Sequence, residues 1–578
     1  MEKIKNVIIC AVAVLLLGSC SDFLEVLPQG VVSEVDLKNV QGAEGLVTAA
    51  YASLGNDHWH EPYTSMWPYG NVRSDDAYKG GLGTSDQGDY HLYETFTSIR
   101  PDQDKGNRIW SRLYVGIQRT NNALRGINEL EEGQYSDKIQ RTAEMRFLRG
   151  HFHFLLKILF KSVPYIDEGI TTDSLNYISN VQYSNNELWD KIATDFQFAI
   201  DNLSPSREDV GRPNDIIAKA YLAKTRLYQA YEQDEQHNVV QINAARMEEV
   251  LQLTNDVINS GQFALHDDYA NNYLWEYDNG QESIYAVQRS RDDGSPAGRT
   301  DTSNSLNFPM YGAYGCCSFH RPSHNLVNAF QTDQAGLPKF DSFNAQVMAD
   351  SVDFRNNSID PRLDHTVGIP SHPYKYQADV IYNTEGFTRG PQVYGPFSAM
   401  KEVQQVDCPC LTQTVGYPYP ATSKNNDIIK LSDVLLWKAE ALIELGRQNE
   451  ALPIINEIRH RAKNSTDRLV YSNGELMANY NIQLYSPGVN IDWNQENARM
   501  ALRWERRLEF ALEGIRFFDL VRWGIAAETI NQYFEVEKTR VPYMSTAHFT
   551  KNRDEYLPIP LQQINLSEGI YQQNNGWN

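Results

Sequence analysis

Between Leu431 and Ala462 two apolar stripes at helical spacing meet at a single glycine. Leu435, Ala439, Leu442 and Leu445 recur every three or four residues and run into Gly446; Ala451, Ile455 and Ile458 resume the pattern beyond it. Such a stripe is the core face of an amphipathic helix, and a glycine after the last apolar position is where a helix ends. The chain must therefore turn here and lay two helices against one another. The same periodicity recurs upstream. Ser184-Asn185-Asn186-Glu187 has the form of a capping box, in which Ser accepts from the backbone while Glu reaches back. Leu188, Ile192, Phe196, Ala199 and Leu203 follow at four, four, three and four, until Ser204-Pro205 stops the helix. Ile217–Tyr231 repeats the pattern with Ala220, Ala223, Leu227 and Tyr231, and Ala143–Phe160 repeats it with more aromatic rings. Small alanines on these faces permit close helix–helix approach.

Gly446, Ala451 and Ile455 carry the spacing of a tetratricopeptide hairpin. The periodic segments are unevenly spaced, which speaks against a regular solenoid and for a mostly α-helical scaffold of stacked pairs. Two stretches break the rhythm. Asn56–Arg100 holds Gly70, Gly80, Gly81, Gly83 and Gly88 among many Tyr and Asp, and Asp267–Lys424 is rich in Gly, Pro, Ser and Tyr with short extended runs such as Ser283–Val287. Irregular segments of that length are usually functional.

The N-terminus reads as an export signal. Lys3 and Lys5 precede an eleven-residue apolar run, Val7–Leu17. As a helix it reaches roughly 16 Å, short of the ~30 Å hydrocarbon core, so it is a secretory h-region and not a membrane span. It ends in Leu17-Gly18-Ser19-Cys20, which resembles a bacterial lipobox, the signal for lipidating the Cys and cleaving before it. Asp22 and Glu25 follow closely, as in the surface-export signal of Bacteroides-type bacteria; a solvated acidic tether reads the same way. The formal net charge of −22 argues against nucleic acid as a partner and against a basic patch on an anionic bilayer. Cys10 and Cys20 aside, Cys316, Cys317, Cys408 and Cys410 are poorly spaced for zinc. A disulfide suits an exported protein better, with three pairings open, a vicinal Cys316–Cys317 bridge among them, and free thiols not excluded.

Several segments, in order, resemble the SusD/RagB outer-membrane lipoproteins of Bacteroides-type bacteria: Cys20–Glu25; Ala143–Arg149 running to Val163-Pro164; Asp360–Asp364; Leu431–Leu436 through Arg461; and Leu557–Pro560 as a closing strand-like motif. The most specific is Glu505-Arg506-Arg507 through Glu509, Glu513-Gly514, Arg516–Leu520 and Arg522-Trp523-Gly524. The resemblance implies a leader at 1–19, a lipidated tether at 20–35 and a SusD-like domain at 36–578. Within it the helical scaffold of four tetratricopeptide-like pairs lies mainly in 36–265 and 425–530, a loop-rich insert in 266–424 and a closing segment in 531–578. It implies, further, a lipid-anchored protein facing the cell exterior that captures a glycan without a cofactor. Such a protein delivers its cargo to a SusC-like TonB-dependent transporter, on which it sits as a lid; some members are tied to peptides instead.

The residues themselves favour binding over catalysis. A glycosidase needs two carboxylates flanking the bond, one with a raised pKa. Glu505, Glu509, Glu513 and Asp519 lie within helical reach of Arg503, Arg506, Arg507, Arg516 or Arg522, and neighbouring cations lower a carboxylate pKa. No Gly-x-Ser-x-Gly elbow and no His-Glu-x-x-His helix occur. His58 and His60 beside Trp59 are a weak metal pair, and Asp86–Asp89 reads as a turn before it reads as a calcium loop. A sugar offers apolar C–H faces to flat rings and hydroxyls to Asp, Asn and Arg. Trp67, Tyr69, Asn71, Arg73, Asp75, Asp76 and Tyr78 bring that mixture together, with Tyr90 and Tyr93 downstream. Tyr311, Tyr314, Cys316, Cys317, His320, Arg389 and Tyr394 form a second set in the insert. These are the expected glycan contacts, although rings beneath long loops also fill satellite cores.

Overall fold

The periodic segments become five helices in a stack of eight, each packed on the next. The eight are α1 Val40–Ala52, α2 Asp104–Asn128, α3 Lys138–Phe160, α4 Asn185–Asn202, α5 Asp215–Ala230, α6 Ala244–Asn259, α7 Leu431–Glu444 and α8 Gln448–Asn464. The computed structural model describes residues 38–577 apart from 176, 208, 295–298, 313 and 413–419, so the leader, Cys20 and the tether lie outside the described residues. The capping box forms as expected, with Ser184 and Glu187 satisfying each other's backbone N–H. Asn39, Asn214 and Asn243 cap α1, α5 and α6 with their side chains. These caps occupy donors that a helix N-terminus otherwise leaves unpaired.

Glycine, as well as alanine, sets the close approaches. A Cβ on Gly116 of α2 would stand 2.7 Å from the Phe152 ring of α3, and one on Gly150 of α3 would stand 2.9 Å from Phe196 of α4. Gly446, at φ +74°, makes the left-handed turn between α7 and α8. The pairs α1–α2, α3–α4, α5–α6 and α7–α8 give four helical hairpins.

Residues 260–430 leave the stack between α6 and α7, yet α6 packs directly on α7. The excursion is closed by its own ends. Strand β2, Ser283–Val287, near its start pairs antiparallel with β4, Asn426–Lys430, at its finish, and β4 runs straight into α7. A second antiparallel pair, β1 Ala77–Gly80 with β3 Phe319–Pro322, joins the first insert to the second. Beneath the insert sits a smaller apolar cluster that includes Leu326, Phe330, Phe354, Leu363 and Phe397. After α8 the chain adds α9 Gln495–Glu509, α10 Arg516–Arg522 and α11 Ala526–Glu537. Leu557–Pro560 is not a strand: Leu557 donates one backbone bond to the Leu159 carbonyl, at the end of α3. The cysteines pair locally, Cys316 with Cys317 and Cys408 with Cys410.

The tightest join is backbone on backbone. A Cβ on Gly70 would lie 1.7 Å from the Gly514 carbonyl oxygen; Gly514 is at φ +75°, and its own Cβ would meet the Ser65 carbonyl at 2.2 Å. Neither neighbour can swing aside. Gly70→Ala is expected to destabilise the protein by about 3 kcal/mol or more. Gly45→Ala, on an open helical surface, should stay within about 1 kcal/mol of the parent or gain stability. Urea unfolding midpoints of the two variants test the contrast.

Candidate functional site

The acid-rich segment 505–524 lies inside the molecule. Glu505 meets Arg362 at 2.8 Å and also Arg459; Glu509 meets Arg362 at 3.2 Å and also Arg461. Asp360 completes the Arg362 fork at 2.7 Å, and Glu282 reaches Arg461 at 3.0 Å. Asp519 lies 2.8 Å from Arg506 and from Arg522, and Arg522 also holds Glu440 of α7. Glu513 sits between Lys401 at 2.8 Å and Lys430 at 2.6 Å. Burial opposes its ionisation, but the two ammoniums outweigh burial and hold its pKa down to about 2. Asp519 and Glu440 are likewise held low by their arginines against the pull of burial. A general acid at neutral pH needs the opposite shift. Burial does raise Asp433 to about 6 and Glu555 to about 7, and each accepts a local backbone N–H, from Lys430 and Asn552.

The expected platform from Trp67 to Tyr78 turns inward. Trp67 is buried edge-on to Tyr90, with its indole N–H donating to the Ser303 carbonyl at 3.3 Å. Tyr69 and Tyr93 are buried against each other. Asn71 accepts the Gly514 N–H at 2.6 Å, and Arg73 donates to the Asp554 carbonyl at 2.7 Å while lying over Phe517. Asp75 pairs with Arg507 and Arg516, each at 2.9 Å, and Asp76 with Arg507 at 2.8 Å. Burial opposes both charges; the arginines win at Asp75, whose pKa falls, and the neighbouring Asp75 charge helps raise that of Asp76. Tyr78 bonds Glu537, Tyr314 donates to the Gln404 carbonyl, and Tyr394 packs on Tyr78 and Tyr543. His320 is buried with Nδ1 2.9 Å from Glu402. The correction to the expected contact set is therefore extensive. Trp67, Tyr69, Asn71, Arg73, Asp75, Asp76, Tyr78, Tyr90, Tyr93, Tyr314 and Tyr394 have no open face for a ligand, because they frame the join between insert and scaffold.

What remains accessible gathers where three loops meet. Tyr311 is half-buried, its ring stacked on Phe387 at 4.4 Å and 9°. Arg389 faces Asp86 at 3.5 Å. Loop 81–88 lies directly on 389–391, since a Cβ on Gly390 would stand 2.6 Å from the Leu82 carbonyl; the Leu82 side chain is 59% exposed. The bridged Cys316 and Cys317, also expected as glycan contacts, are buried just beyond Tyr311 and belong with the corrected set, with the Cys316 N–H bonded to the Pro309 carbonyl. Asp86 accepts the Leu82 N–H and faces Arg389, so it acts in a turn.

The first turn of the helix Gly88–Thr95, which follows loop 81–88, holds a second partly exposed ring, Trp59. Tyr90 donates to the carbonyls of Trp59 and His60, whose rings lie with centroids 3.5 Å apart and planes tilted by 30°. Lys105 lies 5.3 Å from the Trp59 ring and 3.1 Å from His60 Nδ1. Burial, then Lys105, pushes His60 down to about 4, so it is neutral at pH 7. Sequence reasoning passed over Trp59 as a ring platform. Its one signal was a tryptophan flanked by polar residues at the mouth of the glycine-rich insert.

Between the loops and the scaffold a polar cleft of about 110 Å³ is lined by Asp301, Asn304, Glu402, Asn426, Lys401 and Glu513. Glu513 gives this region a pH signature. The unfolded chain takes up this proton near pH 4.5 and the folded chain only near 2. Stability supplied by the ionised carboxylate is thus complete above 4.5 and lost as pH falls toward 2, on the order of 3 kcal/mol in all. Urea midpoints at pH 6, 4 and 2.5 should show Glu513→Gln well below the parent at pH 6, with the gap closing by pH 2.5.

Against known proteins, residues 281–577 match the profile of the SusD family, and residues 22–228 match a profile described as "Starch-binding associating with outer membrane". A SusD-like protein of Formosa agariphila, P25, is 21% identical over 601 residues, covering all of both chains. The crystal structure of a SusD homologue from Bacteroides thetaiotaomicron superposes with a TM-score of 0.70 at 20% identity, over 94% of this chain and 99% of that one. Surface glycan-binding protein A of the same organism, solved in complex with laminarihexaose, superposes with a TM-score of 0.58 at 19% identity, over 93% of this chain and all of that one. With a family profile matched across more than half its length and the fold shared end to end, the chain belongs to the SusD/RagB family.

Proposed function

We propose that the protein is a glycan-binding lipoprotein of the outer-membrane surface, anchored through Cys20, and that it captures an oligosaccharide and delivers it to a SusC-like TonB-dependent transporter as that channel's lid. The observation that carries the binding reading is the rim: a flat ring, Tyr311, braced from below by Phe387 and set beside the Arg389–Asp86 couple. A pyranose needs a braced ring for its C–H face and fixed polar groups for its hydroxyls. A ring already stacked on another loses little freedom on binding, which favours affinity. Trp59, held by Tyr90 in the first turn of the Gly88–Thr95 helix, would extend contact along a longer chain. The name of the laminarihexaose complex and the starch-binding family description support the same class of cargo. Among the described residues no helix is long and apolar enough to cross a membrane, so the anchor assigned here is the lipid at Cys20. Bond cleavage forms no part of the reading: the carboxylates of 505–524 are committed to arginine and lysine.

Isothermal titration of the chain from Ser21 onward, which contains the whole described fold, tests this against a panel of neutral polysaccharides and oligosaccharides. Saturable binding to one glycan is expected. Tyr311→Ala and Arg389→Ala should each weaken it by about tenfold or more, as loss of one good contact does. Trp67→Ala should instead cost about 3–5 kcal/mol of stability as a core deletion. Silence across the panel, or binding indifferent to both rim variants, overturns the assignment of the rim.

A further inference from the structure

A second cavity lies away from the rim, where α3 ends and α4 begins. It has a volume of about 780 Å³, and Lys157 and Lys161, one turn apart, reach its wall. Both lysines are more than nine-tenths buried. Their partners are all neutral. Lys157 donates to the Lys161 carbonyl at 3.1 Å and Asn185 Oδ1 at 2.7 Å; Lys161 donates to the Asp234 carbonyl at 2.6 Å and His237 Nδ1 at 2.8 Å. An ammonium has three N–H donors, so one on each lysine is left over. His237 accepts from Lys161 while its Nε2 faces the Asn575 carbonyl at 3.4 Å, an arrangement that requires the neutral ring. The carboxylates nearest Lys161 are those of Asp234, Glu235 and Glu555; the only charge acting appreciably on Lys157 is Lys161 itself. Burial lowers the pKa of both lysines, with no carboxylate opposing it at Lys157 and only those three partly offsetting it at Lys161; charging the pair without a contacting counter-ion is costly.

The backbone at Lys161 adds to that cost. It stands at φ +57°, ψ −64°, just past the end of α3, in the left-handed half of φ space that favours glycine. A lysine kept there, with its side chain buried at a cavity, is strain retained in the neighbourhood of a charge. Amides and a phenol, including Asn185, Gln572, Asn574 and Tyr183, make up much of the remaining lining, with Asp234 and Glu235 on the Lys161 side, where the Asp234 carboxylate is taken up by Asn238. Amides donate and accept, which suits hydroxyls, and a tyrosine offers a flat face.

We propose that this cavity binds an acidic saccharide, with its carboxylate or sulfate seated between Lys157 and Lys161 and its hydroxyls on the surrounding amides. The anion supplies the counter-charge in direct contact that neither lysine has and engages the spare N–H of each; such charge-assisted bonds are about twice as strong as neutral ones. The inference does not rest on the rim: it concerns different loops and a different ligand charge.

The test is titration of the chain from Ser21 onward with glucuronate- and galacturonate-containing oligosaccharides, sulfated oligosaccharides, their neutral counterparts and sodium sulfate. Saturable binding of an acidic sugar, at least about tenfold tighter than its neutral counterpart, is expected. Lys161→Gly suits the φ of that position and should fold at least as stably as the parent, yet lose about tenfold or more in affinity; Lys157→Met should lose as much. Tyr311→Ala should leave the acidic-sugar affinity unchanged, which separates this site from the rim. Three results overturn the proposal: no acidic sugar binds, both lysine variants bind as the parent does, or sodium sulfate alone binds as tightly as every sugar.

Discussion

Asp75 and Asp76 on the first insert face Arg507 and Arg516 across the scaffold boundary, and the rest of the loop-built face hangs on that contact. Burying two aspartates beside one another is unfavourable, and desolvation opposes both charges. Two guanidiniums with fixed forks reverse the balance only when geometry holds all four groups together. That geometry comes from backbone. The Gly70–Gly514 approach brings the chain just before Asp75 against the turn between α9 and α10, while Asn71 accepts the Gly514 N–H. Removing one partner would strand an unpaired charge, so the join closes as a unit or not at all. Farther along α9, Arg362 of the second insert reads Glu505 and Glu509 in the same way. One helix therefore docks both inserts with charges that a random apolar contact could not satisfy.

The helical scaffold was legible because its information is local. A capping box, an i, i+4 stripe and a glycine stop are each complete within a few residues, and Ser184–Leu203 and the Gly446 turn formed where their spacing placed them. That the 505–524 acids are ion-paired was legible, but the local arginines supply the partners only at Asp519, through Arg506 and Arg522; Glu505, Glu509 and Glu513 pair instead with the distant Arg362, Arg459, Arg461, Lys401 and Lys430. Which of the expected contact residues stay at the surface was mostly illegible. Trp67, Tyr69 and Tyr78 have the composition of a sugar platform and the position of a core. Which of the two they form depends on Ser303, Glu537 and Gly514, more than 200 residues away in the chain. Tyr311 and Arg389 were named alongside them and stay at the surface, a difference that periodicity cannot encode in an irregular loop. The cysteine pairing was open for the same reason, and the structure resolves it into two strictly local bridges.

A frame so heavily committed leaves few positions free to vary. The groups that tie inserts to helices are buried, charged and mutually dependent, so substitutions among them cost more than any single contact. The rim residues make few such commitments: Tyr311 leans on Phe387, and Arg389 leans on Asp86. Changing them alters the exposed surface without loosening the join. This division of labour lets a rigid helical stack carry an exposed face whose chemistry is set largely by side chains at loop tips.

The same division separates the kinds of buried cation in this protein. Arg362, Arg507 and Arg522 are spent on carboxylates. Arg321 is spent on carbonyls: it reaches those of Phe397, Gly395 and Arg389 and so laces the insert loops together, a purely architectural use. Lys375 does the same with the carbonyls of Tyr273 and Met400. Burial without a carboxylate is thus tolerated when the donors pull separate segments into register. Lys157 fits that description poorly, because one of its two acceptors is the carbonyl four residues ahead on its own chain. Lys161 does tie in the Asp234 loop, but at a φ where glycine would sit without strain. A cation that contributes little architecture, occupies a costly backbone and opens on a cavity of about 780 Å³ is placed for something that enters that cavity. The lining amides then determine that the entrant carries hydroxyls as well as charge.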